Sequence, residues 1–404
     1  MLRSNFGNIS KKVLYAQAVY NNREKQAVLR SLNNSWLVGG QIVDKFEKKI
    51  AKQFGNKFGI AVNSGSSANL IAIKSLHLPE KSEIITPACT FSTTASAITL
   101  NGHIPVFIDC IIGRYTINEN VVEKAVGSKT KAILVPQLMG GVCDMVKLRR
   151  ICNKYKLYLI NDSCDTIGAT LRGKLLGVYS DVSTTSFYGS HIITAMGTGG
   201  MILTDNKEIK QTVINMRDWG RVGDDREAFD KRFNFTIDNI PYDSKFLYSE
   251  FGYNFKMSEA SAAFGLEQLK RLPRFAKTKK KIFDQLYEYF SMYEKFFYLP
   301  SIMEGAETNW LAFPLTIKKK APFNRYEFLK HLEDSGIQTR VLFSGNISRH
   351  PAYKKIRFRA FGDLENSDQI MATGCLIGCH QGMTRKHVDY IKKTSEKFLK
   401  RFQS

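Results

Sequence analysis

Apolar residues recur along the chain with two different periods. Residues 22–35 and 41–55 carry them at helical spacing, and Gly39 and Gly40 in SWLVGG mark the break between two amphipathic helices. From residue 58 onward, short continuous apolar runs alternate with helical patterns. Strands are predicted at 58–62, 83–88, 105–109, 131–137, 157–162, 182–187 and 199–204, and helices over 68–77, from Thr93, and over 144–155. Unbroken apolar strands separated by helices imply a mostly parallel sheet covered on both faces, an α/β fold. Residues 222–250 are polar and aromatic and contain Pro241, so a long excursion over a site or a partner subunit is expected there. Helices over 257–272 and 274–296 follow, the second leading into a C-terminal domain. That domain is expected to have strands at 310–317 and 337–342 and helices at 323–335 and 384–402. The division expected is residues 1–275, an N-terminal arm with a large domain, and 276–404, a smaller α/β domain.

The 404 residues carry a formal net charge of +22, with local runs at 277–281 and 318–320. This charge suits a solvated basic surface or an anionic, diphosphate-linked metabolite. No zinc-finger or RNA-binding signature accompanies it, so no nucleic-acid partner is expected. Seven cysteines at dispersed positions suggest no disulfide framework. Cys375 and Cys379 in GCLIGCH have only His380 beside them, which is too few ligands, and no metal is expected. No signal-length apolar core opens the sequence in MLRSNFGNISKK, and no run reaches the roughly 18 apolar residues of a membrane span. A soluble cytoplasmic protein without a membrane partner is the expectation.

Three local motifs offer chemistry. SGSSAN (64–69) follows a strand and opens a helix. Gly65 permits a tight turn there, and the N–H groups of Ser66 and Ser67 suit a phosphate, although a plain strand–helix connection reads the same way. Asp162 ends the strand in LYLIND, where open α/β sheets bind ligands. It fits a ring nitrogen, a metal or a simple turn cap. In SFYGSHIITAMGTGG (186–200), His191 stands before a glycine-rich turn, either as a proton-transfer group or as a structural residue.

The order and spacing of eight segments make a more specific pattern. They are WLVGGQIVDKFEKKIAKQFG (36–55), NSGSSAN (63–69), PACTFSTT (87–94), NDSCDTIGA (161–169), TTSFYGSH (184–191), MRDWGR (216–221), GYNFKMSE (252–259) and GIQTRVLFSGNISRHPAY (336–353). Together they resemble the DegT/DnrJ/EryC1/StrS sugar aminotransferase family of fold-type I pyridoxal-phosphate enzymes. The resemblance runs from about Leu32 to the C-terminus. In that family a lysine five residues after the serine matching Ser186 binds the cofactor covalently, and here His191 takes its place. This replacement resembles the lysine-less 3-dehydratase branch that acts on GDP-4-keto-6-deoxy-D-mannose.

The resemblance implies a large mixed sheet domain with a smaller C-terminal domain. It also implies pyridoxamine 5′-phosphate or pyridoxal 5′-phosphate as cofactor, L-glutamate as amino donor, a nucleotide-sugar substrate and a homodimer with shared sites. By position, His191 becomes the base and Asp162 the partner of the pyridine nitrogen. Phe91 becomes the ring-stacking aromatic, and Gly65, Ser66 and Ser186 become phosphate contacts. Asp165 takes the ring-facing position, and Asn254 reaches the cofactor of the partner subunit. Arg217, Arg221, Arg340, Asn346 and Arg349 are the candidates for the nucleotide-sugar end, since guanidinium groups suit a diphosphate.

Two departures are plain: the glycine turn is one residue longer than usual, and Thr198 stands where glutamate is customary. The stretch 217–254, where some relatives carry cluster-binding cysteines, has none. The function expected is removal of the C3 hydroxyl of a nucleotide-linked 4-keto-6-deoxyhexose. The alternatives are another pyridoxal- or pyridoxamine-phosphate nucleotide-sugar enzyme, such as an iron–sulfur-coupled 3-dehydrase or an aminotransferase-like enzyme, and a noncatalytic homologue.

Overall fold

Capping decides where the first helices begin and end. Asn21 accepts from Arg23 N–H while Glu24 returns a bond to Asn21 N–H, opening the helix Asn22–Asn33. The helix Gln41–Phe54 closes at Gly55 in the left-handed region (φ 77°). At its start, Gly40, Ile42 and Val43 N–H groups donate to the buried Glu259 carboxylate at 2.9–3.0 Å. Negative charge is favoured at a helix N-terminus, so Glu259 ties this helix to a distant one. The computed structural model describes residues 13–222 and 228–402. The N-terminal segment 1–12 and residues 223–227 of the expected excursion lie outside the described residues.

An eight-stranded sheet forms the large domain. Its order is Phe58–Val62, Gly200–Thr204, Val182–Ser186, Tyr158–Asp162, Thr130–Pro136, Glu83–Pro87, Ile104–Ile108 and Arg359–Phe361. Gly200–Thr204 runs antiparallel to both neighbours, and the remaining pairs are parallel. Ile85, Val106, Ile133 and Leu159 join one core, and Ile84, Ala132, Leu134 and Ile160 the other. Burial on both faces explains why these strands read as continuous apolar runs.

The smaller C-terminal α/β domain has a four-stranded antiparallel sheet ordered Phe297–Tyr298, Phe313–Ile317, Gly374–Ile377, Thr339–Val341. The helices Arg325–Asp334, Glu365–Thr373 and Arg385–Leu399 accompany it. Cys375 and Cys379 are core residues of this domain, and burial pushes their thiols up to about 12 and about 11.

Several elements differ from the sequence reading. The helices expected on either side of Pro273 are one helix, Glu259–Ser291. Proline removes an interior hydrogen bond, yet Leu272 and Phe275, flanking Pro273, are buried in one core and Ile282, Phe283, Leu286 and Phe290 in another, and the two cores hold the helix through. The boundary expected at 275/276 therefore falls inside a continuous helix. The strand Arg359–Phe361 has no apolar signature. It joins the edge of the large sheet through Arg359, which donates to Glu83 and to Ala125 O, both at 2.7 Å. The helix Lys207–Arg217 was also absent from the reading. Within 228–250, the chain forms an exposed hairpin of Phe235–Ile237 and Ile240–Tyr242. Asp238 and Asn239 both take positive φ in its two-residue turn, as a hairpin of this length requires. Among the described residues, no helix is long and apolar enough to cross a membrane.

Candidate active site

The site residues gather at one edge of the large sheet because their strands end there. Phe58–Val62 leads into Ser64 and the helix Gly65–Lys74, Tyr158–Asp162 ends on its aspartate, and Val182–Ser186 ends on its serine. Ligands of open α/β sheets bind beyond such ends.

Asp162 is 5% exposed. Its Oδ2 accepts from Asn69 Nδ2 at 2.8 Å and Thr94 Oγ1 at 2.7 Å, and its Oδ1 accepts from Cys164 N–H at 3.2 Å. Asn69 is itself held by the Thr184 hydroxyl. Three donors on a buried carboxylate fix its orientation. Asn69 and Thr94 were not singled out from sequence, although both lie inside quoted motifs.

Ser64 caps the helix that follows: its Oγ accepts from Ser67 N–H at 3.1 Å. This engages the Ser67 N–H, one of the two expected to meet a phosphate, and leaves the Ser66 N–H of the first turn to face an outside acceptor. A Cβ on Gly65 would lie 2.7 Å from Ser186 Cβ and 2.9 Å from Cys164 Sγ. Glycine is therefore required by the close approach of three segments. Ser66 Oγ donates to Thr93 Oγ1 at 3.0 Å, which binds the next helix, Ser92–Leu100, to this cradle. Phe91 precedes that helix, half exposed, edge-on to Phe343 with ring centroids 5.9 Å apart.

His191 stands in a loop whose ends are pinned. Phe187 N–H donates to Gly199 O and Gly199 N–H to Asn63 O, each at 2.9 Å. Thr194 Oγ1 donates to Phe187 O at 2.8 Å and accepts from Gly197 N–H at 2.9 Å. Met196, Gly197 and Gly199 all take positive φ, which lets the longer glycine turn close; Thr198 bridges back to Ala195. The His191 Nδ1 lies 3.2 Å from Ser186 O, and Nε2 lies 3.7 Å from Asp165 Oδ1. A carbonyl only accepts, so Nδ1 carries the proton and Nε2 of the neutral ring is the free base. Asp165 Oδ2 accepts from Met139 N–H at 2.9 Å. Burial raises the Asp165 carboxyl above its ordinary range, with Asp162 adding to the rise, while the His191 ring and the Met139 N–H oppose it.

The remaining candidates are placed less uniformly. Asn254 is exposed and pairs by an isolated bridge with Asp218, outside the cluster just described. Arg221 lies over the Trp219 ring at 4.5 Å, near Asp218. Arg340 lies over the Tyr15 ring at 5.4 Å and is exposed. Arg349 makes a two-point pair with Asp368 at 3.1 and 2.8 Å. Two candidates are directed elsewhere. The Arg217 guanidinium donates to Glu47 at 2.6 Å and Ala61 O at 2.9 Å, joining a helix, a strand and its own helix end. Asn346 is fully buried; its Nδ2 donates to Asp368 at 2.7 Å, and its Oδ1 accepts from Ser348 N–H and Oγ. Both ends of that amide are engaged in the turn that seats the segment.

The chain is 37% identical to the lipopolysaccharide biosynthesis protein RfbH of Salmonella typhimurium over 93% of this chain and 89% of that protein. It is 30% identical to GDP-4-keto-6-deoxy-D-mannose 3-dehydratase of Yersinia pseudotuberculosis over 91% and 93%. A solved structure of GDP-4-keto-6-deoxymannose-3-dehydratase with a trapped PLP-glutamate geminal diamine is similar with a TM-score of 0.87, at 27% identity, over 95% of this chain and all of that one. The family model matches residues 19–395, and the chain belongs to the DegT/DnrJ/EryC1/StrS aminotransferase family, with its structural kinship in the GDP-4-keto-6-deoxy-D-mannose 3-dehydratase branch.

Proposed function

We propose that the protein is a pyridoxamine-phosphate-dependent dehydratase. It removes the C3 hydroxyl of a nucleotide-linked 4-keto-6-deoxyhexose and gives a 3,6-dideoxy-4-keto sugar. The observation that carries this reading is His191. Where the aminotransferases of the family have a lysine, an imidazole stands with its Nε2 3.7 Å from Asp165.

The residues present fit the cofactor. The Gly65 cradle has no room for a Cβ but leaves a helix N-terminus open to a phosphate, and Ser186 adds a hydroxyl. Asp162, fixed by three donors, is an anion suited to a protonated pyridine nitrogen. When bound, pyridoxamine phosphate supplies an amine for the sugar ketone and a ring that accepts electrons. Asp162 holds the proton on the ring nitrogen. Phe91 offers a face to the ring. His191 Nε2 would accept the proton released beside the cofactor amine and, as imidazolium beside Asp165, would supply it to the C3 hydroxyl, which would leave as water. An imidazole moves protons without capturing an aldehyde, as a lysine amine would. Release of the product as a ketone would discharge the nitrogen as ammonia and leave the cofactor as its aldehyde, and L-glutamate would restore the amine, in keeping with the glutamate adduct named for the related structure. Arg221, Arg340 and Arg349 are the candidate cations for the nucleotide diphosphate, which would compete with Asp218 for Arg221 and with Asp368 for Arg349.

The active unit is a homodimer with shared sites. Trp219, Phe246 and Tyr248 are exposed and gather around Arg221, close to the segment bearing Asn254. Exposed apolar surface of this kind suits a second subunit.

The test is single-turnover incubation of enzyme preloaded with pyridoxamine phosphate with candidate nucleotide-linked 4-keto sugars, read by mass. A free sugar lighter by one oxygen atom, formed with one equivalent each of pyridoxal phosphate and ammonia, is the expected result. An amino sugar with its C3 hydroxyl intact would replace the dehydratase with an aminotransferase.

A further inference from the structure

The turn after the central strand of the C-terminal domain, residues 378–382, meets three segments on which the site depends. Lys279, 2% exposed on the long helix, donates from Nζ to Cys379 O at 2.6 Å and to Leu311 O at 3.1 Å. Leu311 N–H donates to Met139 O at 2.7 Å, and Met139 N–H donates to Asp165 at 2.9 Å. His380 Nε2 lies 3.1 Å from Leu14 O while its Nδ1 accepts from Gly382 N–H at 3.2 Å. That ring is a neutral structural group: burial and the Lys279 ammonium lower its pKa to about 4. Gln381 Nε2 donates to Ile192 O at 3.2 Å, the carbonyl of the residue directly after His191. One turn thus touches the His191 loop directly and, through the buried ammonium and two backbone links, reaches the N–H that holds Asp165.

The 3.7 Å between His191 and Asp165 exceeds a hydrogen bond, so a shift of under one ångström in either group makes or loses that contact. We propose that Gln381 is a positioning residue for His191: its amide, seated by the Lys279-braced turn, fixes the carbonyl of the next residue, Ile192, and so aligns the ring between Ser186 O and Asp165. The base is then competent only when the C-terminal domain is seated against the large sheet. This inference rests on His191 being the base.

The experiment compares Gln381→Glu, which keeps the shape and removes the donor, with Gln381→Ala and wild type. Imidazole nitrogen NMR signals of the cofactor-free proteins, assigned by their absence in His191→Asn, report whether His191 keeps its proton on Nδ1. Wild type should show this single tautomer, and both Gln381 variants a mixture. Single-turnover water loss should fall about five- to tenfold, roughly the worth of one net hydrogen bond, with pyridoxamine-phosphate affinity and Tm unchanged. An unchanged tautomer and rate would overturn the proposal. So would a rate loss matched by equal losses of cofactor affinity and Tm, which would make Gln381 merely structural. If His191→Asn dehydrates normally, the reading of His191 as base fails on that variant alone, whereas the tautomer signals of the Gln381 variants still decide whether the amide aligns the ring.

Discussion

Asp162 sits at a strand end, 5% exposed, with Asn69, Thr94 and Cys164 all donating to it. His191 sits five residues past the end of the next strand, with one ring nitrogen on Ser186 O and the other facing a carboxylate beyond hydrogen-bond reach. The contrast fits the tasks proposed for them. A charge that must persist through a reaction is best surrounded by donors that gain nothing by moving. A base must exchange a proton, so its lone pair has to face an open space and a partner slack enough to accept either state. Regular structure supplies the first condition, and a glycine turn pinned at both ends supplies the second.

Replacing His191 tests the contrast with the largest effect. His191→Asn should slow single-turnover water loss by about a hundred- to ten-thousand-fold, with cofactor affinity almost unchanged because the Asp162 side holds it. A wild-type rate would move the base elsewhere, with Asp165 next to examine. Gly65→Ala attacks the other side. Its Cβ meets Ser186 and Cys164 below 3.0 Å, and overpacking of this kind costs about 1–3 kcal/mol. Cofactor affinity should therefore fall roughly ten- to a hundred-fold in an equilibrium titration while the residual chemical step survives. Unaltered affinity would remove Gly65 from the cradle.

Two smaller effects sharpen the picture. Arg217→Met should lower the stability of the cofactor-free protein by about 1.5–3 kcal/mol through loss of its bonds to Glu47 and Ala61 O, with little change in KM for the nucleotide sugar. Arg340→Met should do the reverse, raising KM about tenfold at constant Tm, as expected for a lost charge-assisted contact. Interchanged outcomes would reassign the diphosphate cation.

The smallest effect is a pH dependence at Asp165. Its folded carboxyl is raised above the ordinary 3.8, chiefly by burial. The stability from its neutral form is fully present below that value and is lost as pH rises through the folded pKa. Asp165→Asn cannot ionise and keeps an oxygen for Met139 N–H. In melts of the cofactor-free protein, its advantage over wild type should grow with pH from about 4 upward and then level off. A constant difference across that range would show that Asp165 ionises normally.

The sequence by itself determined seven of the sheet's eight strands and the centre of the proposed site. Strands buried on both faces must be continuously apolar, so their positions were legible, and SGSSAN, Asp162, Ser186 and His191 lie within a few residues of strand ends, where local spacing already places them. The tertiary structure decided what each exposed-looking polar group actually meets. Arg217 and Asn346 read as substrate ligands until Glu47, 170 residues away, and Asp368 engaged them. Pro273 read as a helix end until two cores held the helix through it. Arg359–Phe361 carries no strand pattern of its own and becomes a strand by pairing with Ile104–Ile108. Gln381 and Ile192 lie 189 residues apart, and Lys279 lay in a run that read as solvated charge. Hydrophobic period reports whether a position is buried in its own element. Which donor meets which acceptor is set when chain closure brings distant elements within about 3 Å, and local periodicity carries no record of that.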